Sequence, residues 1–179
     1  DVQNDQISQD LSKLKNNNLF FLEKKKILKT INTHQMIESF SVFKHYPSSL
    51  NIVIKKTNFL ALTKKNGQDY YIGSNGNLIK FTNKKTNLPF IFGNVEISDF
   101  LRLKTIIDNS NFNYDNIKNL YYFKSRRWDI ETKDNLIIKL PFKGLNVSFD
   151  ILSKIYENQK FKDIKVIDLR QENLLTLDG

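Results

Sequence analysis

Catalysis or metal binding would have to be built here from two histidines, one closely spaced aspartate–glutamate pair and six glycines. Active sites need titratable groups that converge, and His34 and His45 do not offer that. One follows a helix-like stretch, the other precedes the turn at Tyr46-Pro47, and neither has a second His or Cys at ligand spacing. Both read as surface or turn histidines. Asp129 and Glu131 lie two apart on a strand-like run, so they share a face and form the one candidate carboxylate pair for acid–base work. Alternation with Ile130 reads them instead as a solvent-facing, salt-bridged row. Gly73 and Gly76 bracket a turn and open no helix, so no phosphate loop is encoded. Nucleophile elbows and an HExxH motif are missing from the sequence, and so is cysteine, which removes disulfides and thiolate ligands. No catalytic residue, metal ligand or cofactor site is assigned, and the chain reads as a non-enzyme.

Binding is the remaining class of function. The formal charge of +9 suits anionic partners such as nucleic acid, lipid headgroups or acidic proteins. The lysines are nevertheless spread along the chain. Residues 1–63 hold 9 Lys+Arg against 5 Asp+Glu, and the remainder holds 19 against 14, so neither part is a basic tail. Lys24, Lys25, Lys26 and Lys29 form the densest cluster and read as the solvated face of a helix. Tyr121, Tyr122, Phe123, Arg126, Arg127 and Trp128 together resemble a stacking surface for single-stranded nucleic acid. Strand alternation divides that cluster between two faces, which places half of it in a core. The chain also ends on apolar residues, "IKVIDLRQENLLTLDG", in which Ile167 and Leu169 alternate toward the core and Leu174, Leu175 and Leu177 form a last strand. A last strand without a successor is expected at a sheet edge.

The elements that would carry these residues follow from periodicity. Ile7, Leu11 and Leu14 mark a short helix, and Ile27, Leu28 and Ile31 the buried stripe of a second. The period then changes to two: Phe40 and Val42, a turn over Tyr46 to Ser49, then Leu50, Ile52 and Ile54. A strand upstream of Asp1, with Val2 as its tail, would complete the order. "DYYIGSNGNLIKF" reads as a hairpin, "LPFIFG" as a connector, and Phe100, Leu103 and Ile107 as a helix from about Ser98 to Asp108. Three strands follow in "KNLYYFKS", "RRWDIETK" and "NLIIKLPF", with Asp134-Asn135 as a turn. Ser148 is the expected N-cap of the next helix, with Val147 and Leu152 as its staple. No run approaches the ~18 apolar residues of a membrane span.

Taken in order, these segments resemble the extracytoplasmic part of the bacterial FtsQ/DivIB cell-division family. The resemblance rests on "IESFSV" and the Tyr46-Pro47 turn with its "L-x-I-x-I" strand. It continues in "YYIGSNGNLI", "LPFIFG" (Leu88 to Gly93), "RRW" (Arg126 to Trp128) and "IDLR" (Ile167 to Arg170). It implies an α+β fold: a POTRA domain (βααββ) over residues 1–63, its first strand largely upstream, then an antiparallel β-sheet domain with flanking helices over 64–179. It implies a non-enzymatic divisome scaffold with no cofactor, held in the inner membrane by an upstream helix and facing the periplasm at the septum. FtsB- and FtsL-type partners would bind by strand addition at the C-terminal edge, and FtsK through the POTRA domain. The partner-binding residues would be Arg126, Arg127, Trp128, Arg170, Gln171, Leu174, Leu175, Thr176 and Leu177. Gln171 departs from the family, where an aromatic residue is usual. A different POTRA-bearing envelope protein and a basic nucleic-acid-binding module are the alternatives.

Overall fold

The computed structural model describes residues 9–10, 12, 24–47, 49–81, 87–157, 164–171 and 174–178. The chain forms two compact units, Asp1–Asn58 with Gly73–Ile79, and Phe59–Ile72 with Lys80–Gly179. The boundary expected after residue 63 falls inside the strand that opens the second unit. The short helix expected around Ile7, Leu11 and Leu14 lies largely outside the described residues.

The first unit is a helix laid on a hairpin. Helix α1 (Lys24–Asn32) buries Ile27 and Ile31 of the expected stripe and leaves Leu28 half-buried, while Lys25 and Lys29 face solvent. Strands β1 (Ile37–His45) and β2 (Ser49–Lys56) pair antiparallel, Val42 opposite Ile52 and Phe40 opposite Ile54. One face of this pair, with Phe40, Val42, Leu50, Ile52 and Ile54, packs against Ile27, Ile31 and Ile37. Residues 73–79 are tied to the start of β1 by side-chain amides. Asn75 donates to the carbonyls of Gln35 and Ile37 at 2.9 and 3.0 Å, and Asn77 donates to Gln35.

The second unit is built on a sheet. The strands of the larger sheet are β3 (Phe59–Lys65), β4 (Gln68–Gly73), β5 (Leu78–Lys80), β6 (Phe90–Phe92), β7 (Ile117–Tyr122), β8 (Trp128–Thr132), β9 (Ile137–Lys139), β10 (Val166–Gln171) and β11 (Leu174–Asp178), in the order β11-β10-β9-β8-β7-β6-β3-β4-β5. Asn66 and Gly67, both at positive φ, close the two-residue turn from β3 to β4. The fold is α+β as expected, but the sheet is mixed rather than wholly antiparallel. β3 with β6, β6 with β7, and β9 with β10 run parallel. For β6 with β7 and for β9 with β10 the cause is the placement of the helices. Helix α2 (Ile97–Asp108) crosses over from β6 to β7, and helix α3 (Leu145–Glu157) from β9 to β10, and a helix between adjacent strands returns the chain in the same direction. "LPFIFG" is accordingly a strand, with Phe90, Ile91 and Phe92 inserted between β3 and β7, and not a connector.

Register divides the sheet into two faces. Ile91, Leu120, Ile130, Ile138 and Ile167 are opposite one another across five strands, and each is at most 1% exposed. Phe100, Leu103 and Ile107 of α2 are buried, as are Phe149, Leu152 and Ile155 of α3, and the two helices touch each other. They therefore cover the same, aliphatic face. Ser148 is not the N-cap of α3. The helix begins at Leu145, after Gly144 in a left-handed conformation (φ +74°), and the Ser148 hydroxyl turns back to the Gly144 carbonyl. Val147 is 62% exposed, so the expected staple with Leu152 does not form.

Gly93 ends β6 at φ +103°, where an added Cβ would lie 2.2 Å from the Tyr122 carbonyl oxygen. That oxygen is backbone of the neighbouring strand and cannot turn aside. Gly93→Ala is expected to destabilise the second unit by about 3 kcal/mol or more, combining backbone strain with overlap. Thermal unfolding followed through Trp128 fluorescence measures it, and an unchanged midpoint would contradict this reading of the glycine.

Candidate partner-binding surface

The opposite face of the sheet carries no helix among the described residues, and its side chains are mostly polar or aromatic. Its central row runs Phe92, Tyr121, Asp129, Lys139, Asp168 and Thr176 from β6 to β11. The next row includes Phe90, Asn119, Glu131, Ile137 and Val166. Phe92 stacks on Tyr121 with centroids 5.1 Å apart. Asp129 and Glu131 do share a face and are ion-paired, but they do not form a solvent-facing row, because Asp129 is buried. The Glu131 carboxylate accepts from Lys118 (2.7 Å), Asn119 (2.9 Å) and the Tyr121 hydroxyl (2.6 Å). Asn119, Lys118 and Tyr121 together hold it down at about 2.

The three consecutive residues Arg126, Arg127 and Trp128 go to three different places. Arg126 sits at φ +60° in the turn after β7 and grips Asp99 of α2 with Nε at 2.9 Å and Nη2 at 2.6 Å. The Tyr122 hydroxyl donates to the same carboxylate at 2.5 Å. Arg126 and then Tyr122 hold the Asp99 carboxyl below its ordinary value. Arg126 therefore ties the β7–β8 turn to the first turn of α2. Trp128 is 2% exposed and packs on Tyr122 within the core, so its ring is not on the surface. Of the aromatic cluster that resembled a base-stacking platform, Tyr122 and Trp128 are thus interior. Of Arg126, Arg127 and Trp128, Arg127 reaches the open face, with its guanidinium 4.4 Å from the Phe123 ring centroid and Nε 3.3 Å from Asp129 Oδ1.

At the end of the sheet, Ile167 and Leu169 of β10 are buried, as their alternation required. Arg170 is exposed and folds back onto Asp168, with Nε at 2.8 Å and Nη2 at 2.5 Å from its two oxygens. That contact holds the Asp168 carboxyl below its ordinary value. β10 and β11 pair antiparallel with an irregularity between Asp168 and Gln171. Two β10 residues there oppose one residue of β11, the pattern of a bulge. Beside it, Asp168, Arg170, Gln171 and Thr176 line an open cleft of about 340 Å³. Leu174, Leu175 and Leu177 lie on β11, where only their backbone is described. The expected residues thus separate into Arg126 and Trp128, which brace the fold, and Arg127, Arg170, Gln171 and Thr176, which reach the open face or the cleft. Sequence reading missed Asp99 and Lys139, because only the helix crossover and the strand register bring them to Arg126 and Asp129.

A family model described as cell division protein FtsQ/DivIB, C-terminal, matches residues 61–170, from β3 to the last but one residue of β10. The chain belongs to the FtsQ/DivIB family. The match covers "LPFIFG", "RRW" and "IDLR" and stops short of β11. The cell division protein FtsQ of Bradyrhizobium diazoefficiens is 25% identical over 166 residues, which are 89% of this chain and 48% of that protein. The chain thus spans about half the length of that relative. The major extracytoplasmic domain of DivIB from Geobacillus stearothermophilus superposes with a TM-score of 0.41 at 12% identity, over 55% of this chain and 87% of that one.

The Glu131 network gives a pH-dependent stability whose sign is fixed. The carboxyl is lowered on folding, from 4.5 to about 2, so its contribution is complete above 4.5 and is lost as pH falls toward 2. Glu131→Gln is expected to flatten denaturant stability against pH across that window, relative to wild type. Parallel curves for the two proteins would remove Glu131 as a source of acid sensitivity.

Proposed function

We propose that this FtsQ/DivIB family protein is a non-enzymatic scaffold of the cell-division machinery that receives a partner strand along β11. The observation that carries the reading is topological: β11 ends the sheet order and, among the described residues, is paired on one side only, by β10. Such an edge offers backbone N–H and C=O groups to an incoming strand, and neighbouring side chains supply specificity. β11 has five residues against three for β5 at the far edge, and it alone adjoins the cleft of Asp168, Arg170, Gln171 and Thr176.

In this reading FtsB- and FtsL-type proteins are the partners, and binding supports septal peptidoglycan synthesis. Leu174, Leu175, Thr176 and Leu177 supply the edge, while Arg170 and Arg127 offer guanidinium forks to partner carboxylates. Gln171 stands beside the cleft in place of the family's aromatic residue. Arg126 and Trp128 act indirectly, by fixing the turn and core that carry Arg127. The first unit serves as the POTRA domain, for localisation and for earlier-arriving proteins such as FtsK. The protein works at the outer face of the inner membrane, in the periplasm at the septum, with its anchoring helix outside residues 1–179. No described helix is long and apolar enough to cross a membrane.

Leu175→Lys and Arg170→Glu are each expected to weaken binding of an FtsB-type extracytoplasmic segment about tenfold or more in calorimetric titration. The unfolding of the first unit should stay unchanged. Wild-type affinity in both variants would sink the assignment of this edge.

A further inference from the structure

The three guanidiniums closest to the proposed binding surface are not equally well paired. Arg126 makes two side-chain hydrogen bonds to Asp99 and Arg170 three to Asp168, all of 2.5–2.9 Å, the range of a well-formed charge-assisted bond. Arg127 and Asp129 are different. Their Nε and Oδ1 atoms are 3.3 Å apart, both are buried, and neither has a hydrogen-bond partner among the described residues. A buried polar group left in that state is destabilising and calls for an explanation. Asp129 is only 8% exposed, and burial pushes its carboxyl up despite the opposing charges of Arg127, Arg170 and Lys139. Those groups come from every side of it: Arg127 lies just before the start of its strand, and Lys139 is opposite it on β9. Asp168 and Arg170 lie beyond on β10, while Tyr121 is opposite it on β7. The Arg127 side chain is itself 25% exposed and can be reached from solvent.

We propose that Asp129 is an internal competitor for the partner's carboxylate: it holds the Arg127 guanidinium in a poorly aligned pair, and an acidic side chain arriving over the open face replaces it. The proposal rests on the reading that this surface binds an acidic partner strand, and it adds a self-contact that the partner must displace. Two effects of removing the Asp129 charge oppose one another. Arg127 loses a positioning contact, but that contact is misaligned, and Phe123 still flanks the guanidinium. It also loses the one anion it is paired with among the described residues, at a partly desolvated site where one charge at ~4 Å is worth several-fold in affinity. The second effect dominates.

The test uses acetate as the carboxylate probe and the full chain labelled with 15N, following the Arg127 Nε–Hε resonance. Asp129→Asn is expected to raise the apparent acetate affinity at Arg127 about fivefold. The Arg170 resonance, still held by Asp168, should respond as in wild type. Unchanged or weaker acetate binding at Arg127 in a variant with wild-type Tm would overturn the proposal. A second measurement needs no variant. On saturation of wild type with a strand-forming peptide rich in glutamate, the 13C carboxyl resonance of Asp129 should shift, and with the glutamine counterpart it should not. A bound glutamate peptide that leaves Asp129 unmoved also overturns the competition. Failure of that peptide to bind at all, with the acetate effect intact, counts against the strand-edge reading and leaves the competition supported.

Discussion

The second unit depends on one aliphatic row. Ile91, Leu120, Ile130, Ile138 and Ile167 lie side by side across five strands and face α2 and α3. Because side chains on a strand alternate with period two, fixing this row inward fixes every neighbouring residue outward. A one-residue slip of any strand would bring Phe92, Tyr121, Asp129, Lys139 or Asp168 against the helices, and three of these are charged. Burying an unpaired charge costs far more than any single aliphatic contact returns. The row therefore sets register, and register sets the composition of the open face.

The two crossovers explain why that face is open. β6, β7, β9 and β10 run in one direction, and both helix connections step the same way along the sheet order. Connections of one hand must then place both helices on one side. The other side is left to ion pairs and aromatic stacking, which function well beside water. This arrangement gives the "RRW" motif its divided character. Arg126 locks a strained turn to the helix layer, Trp128 fills the core, and Arg127 between them points to the solvated face. Three adjacent residues thus connect helix layer, core and candidate binding surface, so a change at any one is felt in a different layer.

Membership of the FtsQ/DivIB family makes this a cell-division protein. What the geometry adds is a physical basis for the docking proposed above: a strand paired on one side among the described residues, a bulge and a polar cleft beside it, and arginines on the same face. The arginines differ in how tightly their own acids hold them. That difference concentrates attention on Arg127 and the buried Asp129, which lie outside the terminal hairpin yet are joined to it through Lys139 and Asp168 in a single cross-strand row.

Much of this was legible in the residues alone. Ile27 and Ile31, Phe40 to Ile54, Phe100, Leu103 and Ile107, and Ile167 and Leu169 all took the faces their periods assigned, because apolar burial dominates the choice of face. The hairpin glycines and the positive-φ Asn135 turn were local matters and read correctly. "LPFIFG" did not read as a strand, since three apolar residues between Pro and Gly carry no period, and only neighbours on both sides make them one. The parallel pairs escaped for the same reason, although a helix between successive strands was itself the signal. Ser148 misled because Gly144 starts the helix earlier than the capping pattern suggests. The sequence by itself determined the faces of most aliphatic residues, since those follow from local period and polarity, but not the burial of Asp129 or the exposure of Val147. Only the tertiary structure decided which charges meet, setting Arg126 on Asp99, Arg170 on Asp168 and Arg127 poorly on Asp129, because crossover handedness and register bring together groups that the chain keeps apart.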